Sequence, residues 1–353
     1  MKKIFISLLA VAALAACTKS EVQYEPAGEI GFAPVASNVT KSVAGYNGET
    51  FDGVFPTDVD LYVFANAQDE NTDGTLADTW NTPYFQNALF EWNASKNESE
   101  IDDVAKNGSY AGKPTRYWPN VKSLKFAGYS DACNVAKTAT FDIAANTITI
   151  SSYTQDNANF TEEGTNDLMW FSCIEQHSKK ANEVPVNMKH ACSWITINVA
   201  GDDVTAENWT LNSLVVKALK HSGNVVCNAT TAQWNLTGEG ADEEYYKPTT
   251  GTTFTEEYVK YEKTTNNFIV LPQTPTSLDV TYTYTSQEAT GTTLSITLTE
   301  TKNVPLTFNG TDSWAPGVHY IYNVLITATE ILIDPVVVDW TNYDGNEIDK
   351  TVN

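Results

Sequence analysis

Apolar residues recur at every second position through much of the chain. Val59, Leu61 and Val63 alternate with Asp58, Asp60 and Tyr62. Leu278, Val280, Tyr282 and Tyr284 alternate with Asp279, Thr281 and Thr283. Leu294, Ile296 and Leu298 keep the same period, as do Val304, Leu306 and Phe308, and then Val318, Tyr320, Tyr322, Val324 and Ile326. A period of two puts the apolar groups on one face of a half-buried strand. Turn residues punctuate these runs at Asp73-Gly74, Asn107-Gly108, Pro119-Asn120, Ser222-Gly223, Asn309-Gly310 and Pro316-Gly317. Helical periodicity is weak, and short helices are expected only near 155–166 and 202–208. Many short strands with frequent turns predict an all-β, mostly antiparallel chain built from β-sandwiches.

One segment breaks its own rhythm. Val184, Val186, Met188, His190, Cys192 and Trp194 share one parity, and the apolar set then shifts to Ile195, Ile197 and Val199. Such a switch predicts either a bulge or a strand buried on both faces. The polar stretch Ser178–Glu183 just before it marks a domain boundary, which divides the chain into residues 30–183 and 184–353. The polar stretch 238–266 reads as a long loop or hairpin.

The N-terminus obeys a different logic. Lys2 and Lys3 precede an apolar run from Ile4 to Leu14, followed by Ala15-Ala16-Cys17. A basic start, a short hydrophobic run and small residues make an export signal, too short to span a bilayer. Leu14-Ala15-Ala16-Cys17 looks like a bacterial lipobox. That likeness implies cleavage before Cys17, lipid on its thiol and amine, and a polar tether over residues 17–29. Removing residues 1–16 leaves 337 of the 353 residues and takes Lys2 and Lys3 with it. The formal net charge then moves from -23 to -25. A surface this acidic excludes a nucleic-acid partner and offers no basic patch to anionic lipid. Arg116 is the one arginine, so bidentate capture of a carboxylate or phosphate is confined to one place.

Catalytic chemistry finds little support. The four histidines are His177, His190, His221 and His319. His190 lies on the apolar face of its strand and reads as a satisfied core histidine. His319 has the opposite parity to Val318 and Tyr320 and is expected to face solvent or a sheet edge. No GxSxG, HExxH, P-loop or GxGxxG motif occurs, so no catalytic residue is assigned and no cofactor is called for. Asp69-x-Asn71-x-Asp73-Gly74 matches the start of a calcium loop. Its twelfth position is Trp80 rather than Glu, so the string reads as an acidic turn and no metal site is assigned. Cys133, Cys173, Cys192 and Cys227 have no CxxC spacing. They are either buried free thiols or contain at least one disulfide. Trp80, Trp92, Trp118, Trp209, Trp234 and Trp314 lie near strand ends, where they serve as core packing or as sugar-stacking platforms.

Taken in order, several segments resemble the fimbrillin family, the lipoprotein-derived pilins of Bacteroidales. They are Glu29-Ile30-Gly31-Phe32, Asp60–Ala65, Tyr117-Trp118-Pro119, Leu124–Tyr129, Asp167–Trp170, Val186–Ala191, Phe268–Gln273, Trp314–Tyr322 and Val337–Trp340. The resemblance implies two transthyretin-like β-sandwich domains in tandem. It also implies a lipid-anchored precursor at the outer membrane that a protease cuts after the first strand. A strand from another fimbrial subunit then fills the vacated groove, and the assembled fimbrium meets a host or bacterial surface receptor. Here the first strand would run from Gly28 to Ala36, followed by a loop Ser37–Gly48. The only basic residue of that loop is Lys41, so cleavage would fall between Lys41 and Ser42. The C-terminal segment Ile331, Ile333, Val336, Val337 and Val338 is apolar on both parities, as an inserted or central strand would be, while Pro335 favours an edge. The short polar tail after Trp340 favours an accessory, tip or anchor subunit over a stalk. The alternative is a surface glycan-binding lipoprotein that does not polymerise.

Overall fold

The computed structural model describes residues 28–36, 43–44, 50–51, 60–93, 109–119, 122–131, 138–155, 167–176, 184–202, 209–253, 256–261, 268–287, 295–306, 313–327 and 330–339. The chain is all-β, and no helix occurs among these residues. The expected helices near 155–166 and 202–208, His177, Cys133 and Trp340 lie outside them, and so does the side chain of Cys173.

The strands run in chain order as β1 (Gly31–Ala36), β2 (Val43–Ala44), β3 (Thr50–Phe51), β4 (Leu61–Ala67), β5 (Thr82–Asn93), β6 (Ser109–Gly112), β7 (Leu124–Asp131) and β8 (Thr138–Asp142). Then come β9 (Thr147–Thr154), β10 (Leu168–Gln176), β11 (Val184–His190), β12 (Ser193–Gly201), β13 (Trp209–Leu219), β14 (Ser222–Cys227), β15 (Ala232–Thr237) and β16 (Ala241–Tyr246). The last are β17 (Thr252–Thr253), β18 (Val259–Lys260), β19 (Phe268–Val270), β20 (Ser277–Gln287), β21 (Ser295–Pro305), β22 (Val318–Ile326) and β23 (Ile331–Asp339).

The first sheet closes on itself in the order β1-β11-β10-β7-β4-β5-β6, so it has no free edge. Its interior holds Phe32, Phe90, Trp118, Phe126 and Phe171. Gly128 on β7 makes room for this core, because a Cβ there would lie 2.3 Å from the Phe171 ring. The C-terminal strands form two facing sheets. In one, β12 has β18 and β19 on one side and β22, then β23, on the other; the second runs β16-β13-β20-β21, with β17 also on β13. Ile195, Ile197, Leu211, Leu214, Val280, Tyr322 and Val324 fill the space between them. A fourth sheet, β15-β14-β9-β8, takes two strands from each half of the sequence. The expected boundary at residue 183 falls between β10 and β11, which are hydrogen-bonded neighbours.

The parity switch at 184–199 now has a cause. Ala191 and Cys192 form a bend between β11, which belongs to the closed barrel, and β12, which belongs to the sandwich. Every residue of β12 is buried, so the strand is covered on both faces. Two other readings change. Leu298 on β21 is 50% exposed, because β21 is an edge strand, and the two runs 294–298 and 304–308 contribute to one continuous strand. His319 is fully buried rather than solvent-facing. The start of β22 is covered on both faces, and the imidazole stacks on Trp194 at 3.8 Å with its Nε2 2.8 Å from Thr196 Oγ1.

Burial holds the His319 imidazole well below the ordinary histidine range, and Lys260 adds a push in the same direction. As pH falls below about 6.5 the unfolded chain takes up a proton that the folded one refuses, so His319 costs stability on acidification. Below about pH 6, urea unfolding of the wild type should lose stability faster than His319→Phe, by about 1.4 kcal/mol per pH unit. Equal slopes in the two proteins would contradict this assignment.

Candidate functional site

The strand β1 sits where two ladders meet. It runs parallel to β11, with Phe32 opposite Val184 and Ala36 opposite Met188, and antiparallel to β6, with Phe32 opposite Tyr110. Phe32 is wholly buried. Its ring meets Phe90 edge-on at 4.8 Å and Phe126 at 5.1 Å, and lies 6.1 Å from Phe171. Upstream, a short strap grips the chain: Ile30 N–H donates to the Arg116 carbonyl at 2.8 Å and Trp118 N–H donates to the Gly28 carbonyl at 2.9 Å. The expected first strand Gly28–Ala36 therefore contains β1 and its strapped approach. Cys17, Lys41 and Ser42 lie outside the described residues. Part of the expected loop, Val43-Ala44, pairs with Thr50-Phe51.

At the other end of the chain, β23 pairs with β22 along its whole length, from Val318 opposite Asp339 to Ile326 opposite Ile331. It is the last strand of its sheet, so among the described residues one side carries no ladder. Ile331 and Ile333 pack on the sandwich core. Leu332, Val336 and Val337 are 47%, 39% and 43% exposed. Val338 stands opposite His319 in register. The double-sided apolar pattern is thus an edge strand with an exposed apolar face, and Pro335 sits at the kind of position that tolerates a missing N–H.

The polar candidates resolve into structural roles. His190 is the satisfied core histidine that its parity predicts, with Nδ1 2.6 Å from Asp167 Oδ2 and both groups buried. His221 Nε2 lies 3.1 Å from Glu243 Oε1. In the acidic string, Asp69 accepts from the Thr79 and Thr82 hydroxyls. Asp73 accepts from the Thr75 N–H and hydroxyl at 3.0 and 2.7 Å. These bonds make a hairpin tip, and they hold both carboxylates below the usual range. Cys192 and Cys227 are buried thiols in one hydrophobic cluster, and burial pushes the Cys227 thiol up to about 12. Trp118, Trp209 and Trp314 are core residues, and Trp80, Trp92 and Trp234 are half-buried. Among the described residues Arg116 pairs with no carboxylate: its guanidinium lies over the Phe85 ring at 5.6 Å. The pairing of β1 with β11 had no local signal, because the two strands are about 150 residues apart in sequence.

A family model described as fimbrillin-like matches residues 48–340. No curated protein matches the chain. Among solved structures, a fimbrial protein from Bacteroides vulgatus ATCC 8482 is similar over 88% of this chain and 99% of its own, with 16% sequence identity and a TM-score of 0.58. A candidate cell-adhesion protein from Bacteroides uniformis ATCC 8492 is similar over 89% of this chain and 99% of its own, with 15% identity and a TM-score of 0.50. At these identities the likeness is one of fold.

The two terminal strands should respond unequally to substitution. Phe32→Ala should cost about 3–5 kcal/mol in urea unfolding, because a fully buried ring leaves a cavity. Val336→Lys, on the exposed face, should change stability by less than about 0.5 kcal/mol.

Proposed function

The chain belongs to the fimbrillin-like family, and on that premise we propose that it is a fimbrial subunit that assembles by strand exchange. In this reading it is exported, lipidated at Cys17, carried to the outer membrane surface and cut between Lys41 and Ser42. It then loses β1 to a strand from another fimbrial subunit and supports adhesion to a surface receptor. Its work is structural rather than enzymatic, as the family suggests.

The seat of β1 carries the reading. Removing β1 would break both of its ladders and leave β11 and β6 with unpaired edges. It would also expose the faces of Phe90, Phe126 and Phe171 that Phe32 now covers. Burying one such ring is worth about 1.5–3 kcal/mol, and each unpaired buried backbone group adds a cost of about 1–3 kcal/mol. An open seat therefore demands refilling. The replacement need only be an extended segment with alternating apolar groups, because the backbone ladder is generic and the pockets select side chains. Within this chain, the segment that best fits that description is β23, through Ile331, Ile333, Val336, Val337 and Val338. Detaching it exposes less core than detaching β1, since Leu332, Val336 and Val337 are already exposed.

The alternative, a surface glycan-binding lipoprotein that does not polymerise, rests on the lipid anchor and on the tryptophans near strand ends. Among the described residues none of these is an exposed platform, which favours the assembly reading.

Limited trypsin treatment of the full exported chain should cut at Lys41 and convert monomer into SDS-resistant ladders. Lys41→Gln should abolish both the cut and the ladders. Monomer that persists after a verified cut, over a range of concentrations, would overturn strand exchange.

A further inference from the structure

Arg116 is the only arginine in a chain with 44 acidic residues. Among the described residues its guanidinium nevertheless makes no ion pair and no hydrogen bond, and its Nε is buried without a partner. A guanidinium offers five donors in a planar fork, and a buried one left unused is costly. The side chain is held in place rather than loose. Its cation lies 5.6 Å over the Phe85 ring, and its Cγ occupies the space that a Cβ on Gly112 would need, 2.9 Å away. Its own carbonyl is fixed by Ile30 N–H.

Two tyrosines lie beside the backbone of this residue. Tyr117 is the next residue, and the Tyr84 hydroxyl donates to its carbonyl at 2.6 Å. Burial raises the Tyr84 phenol, and the Arg116 charge offsets part of that rise. Tyr84 and Tyr117 are 40% and 48% exposed, and they are the only aromatic residues among the exposed large hydrophobic side chains. The single arginine is thus next in sequence to one of the only two such aromatics of the described surface, and one residue from the carbonyl that the other grips.

We propose that Arg116, Tyr84 and Tyr117 form a binding site for a carboxylated sugar, one uronic or nonulosonic acid residue of a surface glycan. The guanidinium would take the carboxylate in its two-pronged fork, the arrangement for which arginine is suited and lysine is not. The tyrosine rings supply rigid faces for the apolar side of the pyranose and hydroxyls for its polar rim. The net charge of the chain sharpens the class. A polyanion would meet the repulsion of the whole acidic surface, whereas one carboxylate reaching a local cation is shielded beyond about 8 Å at physiological salt. The ligand is therefore an isolated acidic sugar and not a sulfated or polyuronic chain. The strap that holds Arg116 comes from Gly28 and Ile30, upstream of Lys41, so the site is proposed for the uncut chain.

The test is titration of the full exported chain, followed by NMR, with methyl glucuronide and with the methyl glycoside of N-acetylneuraminic acid. Methyl glucoside and acetate serve as the neutral and sugar-free arms, and polygalacturonate as the polyanion. One acidic glycoside should bind at least tenfold more tightly than glucoside, acetate or polygalacturonate. Arg116→Gln should lose about ten- to hundredfold, Arg116→Lys should recover only part of it, and Tyr117→Ala should lose several-fold. Tyr117 is exposed, so its variant decides the matter even if Arg116→Gln fails to fold. Acetate or glucoside binding as tightly as the acidic glycosides, or affinity unchanged in Tyr117→Ala, would overturn the site. A trypsin ladder that forms equally in wild type and Arg116→Gln keeps this outcome separate from that of strand exchange.

Discussion

Closure of the first barrel by a single short strand is the constraint on which the rest depends. A curved sheet of six strands, β11-β10-β7-β4-β5-β6, has two edges, and β1 satisfies both at once. It can do so only by running parallel to one neighbour and antiparallel to the other. The same strand carries Phe32 into the middle of the aromatic cluster. Backbone pairing and core filling therefore rest on one element near the chain terminus. That element is joined to the rest of the barrel by a stretch containing one basic residue, Lys41. A fold built this way is stable when closed and strongly unsatisfied when open, which is the physical requirement for an assembly that runs in one direction.

The second organising feature is the passage from barrel to sandwich at Ala191-Cys192. Buried polar groups gather here. His190 meets Asp167, Trp234 Nε1–H donates to the Ala191 carbonyl at 2.7 Å, and Gly317 N–H donates to the Cys192 carbonyl at 2.8 Å. His319 stacks on Trp194 just beyond. The hydrogen bonds satisfy polar groups in a largely buried region, and with the stack they fix how β11 hands over to β12. The fourth sheet spans the same region, so displacing β1 need not loosen the sandwich that carries β23. The two terminal strands are then separate in role: one plugs a core, the other lies on an edge.

Local pattern made most strands legible, because a period of two is a direct consequence of one-sided burial. Tyr320, Tyr322, Val324 and Ile326 face the core as their spacing requires. Pattern failed where a second layer intervened. His319 and the whole of β12 are covered on both faces, and no alternation can report a neighbour that arrives from elsewhere in the chain. It failed again at Leu298, whose apolar parity matches a core strand but whose position is an edge. The solitary arginine was conspicuous in composition. Its setting was not, since Tyr84 is 33 residues from Tyr117 in sequence and reaches that neighbour of the arginine only through the pairing of β5 and β6 and the strap that follows. The candidate strands at both ends were visible as motifs, and the parallel seat that gives β1 its importance was visible only in three dimensions.

The central claim is that β1 is a removable plug, and the N-terminus of assembled material reads this directly. Mass spectrometry of SDS-resistant assemblies taken from the cell surface should find a subunit that begins at Ser42 and has 312 of the 353 residues, with neither lipid nor β1. A subunit within those assemblies that still begins at a lipid-bearing Cys17, with β1 in its seat, would contradict the account.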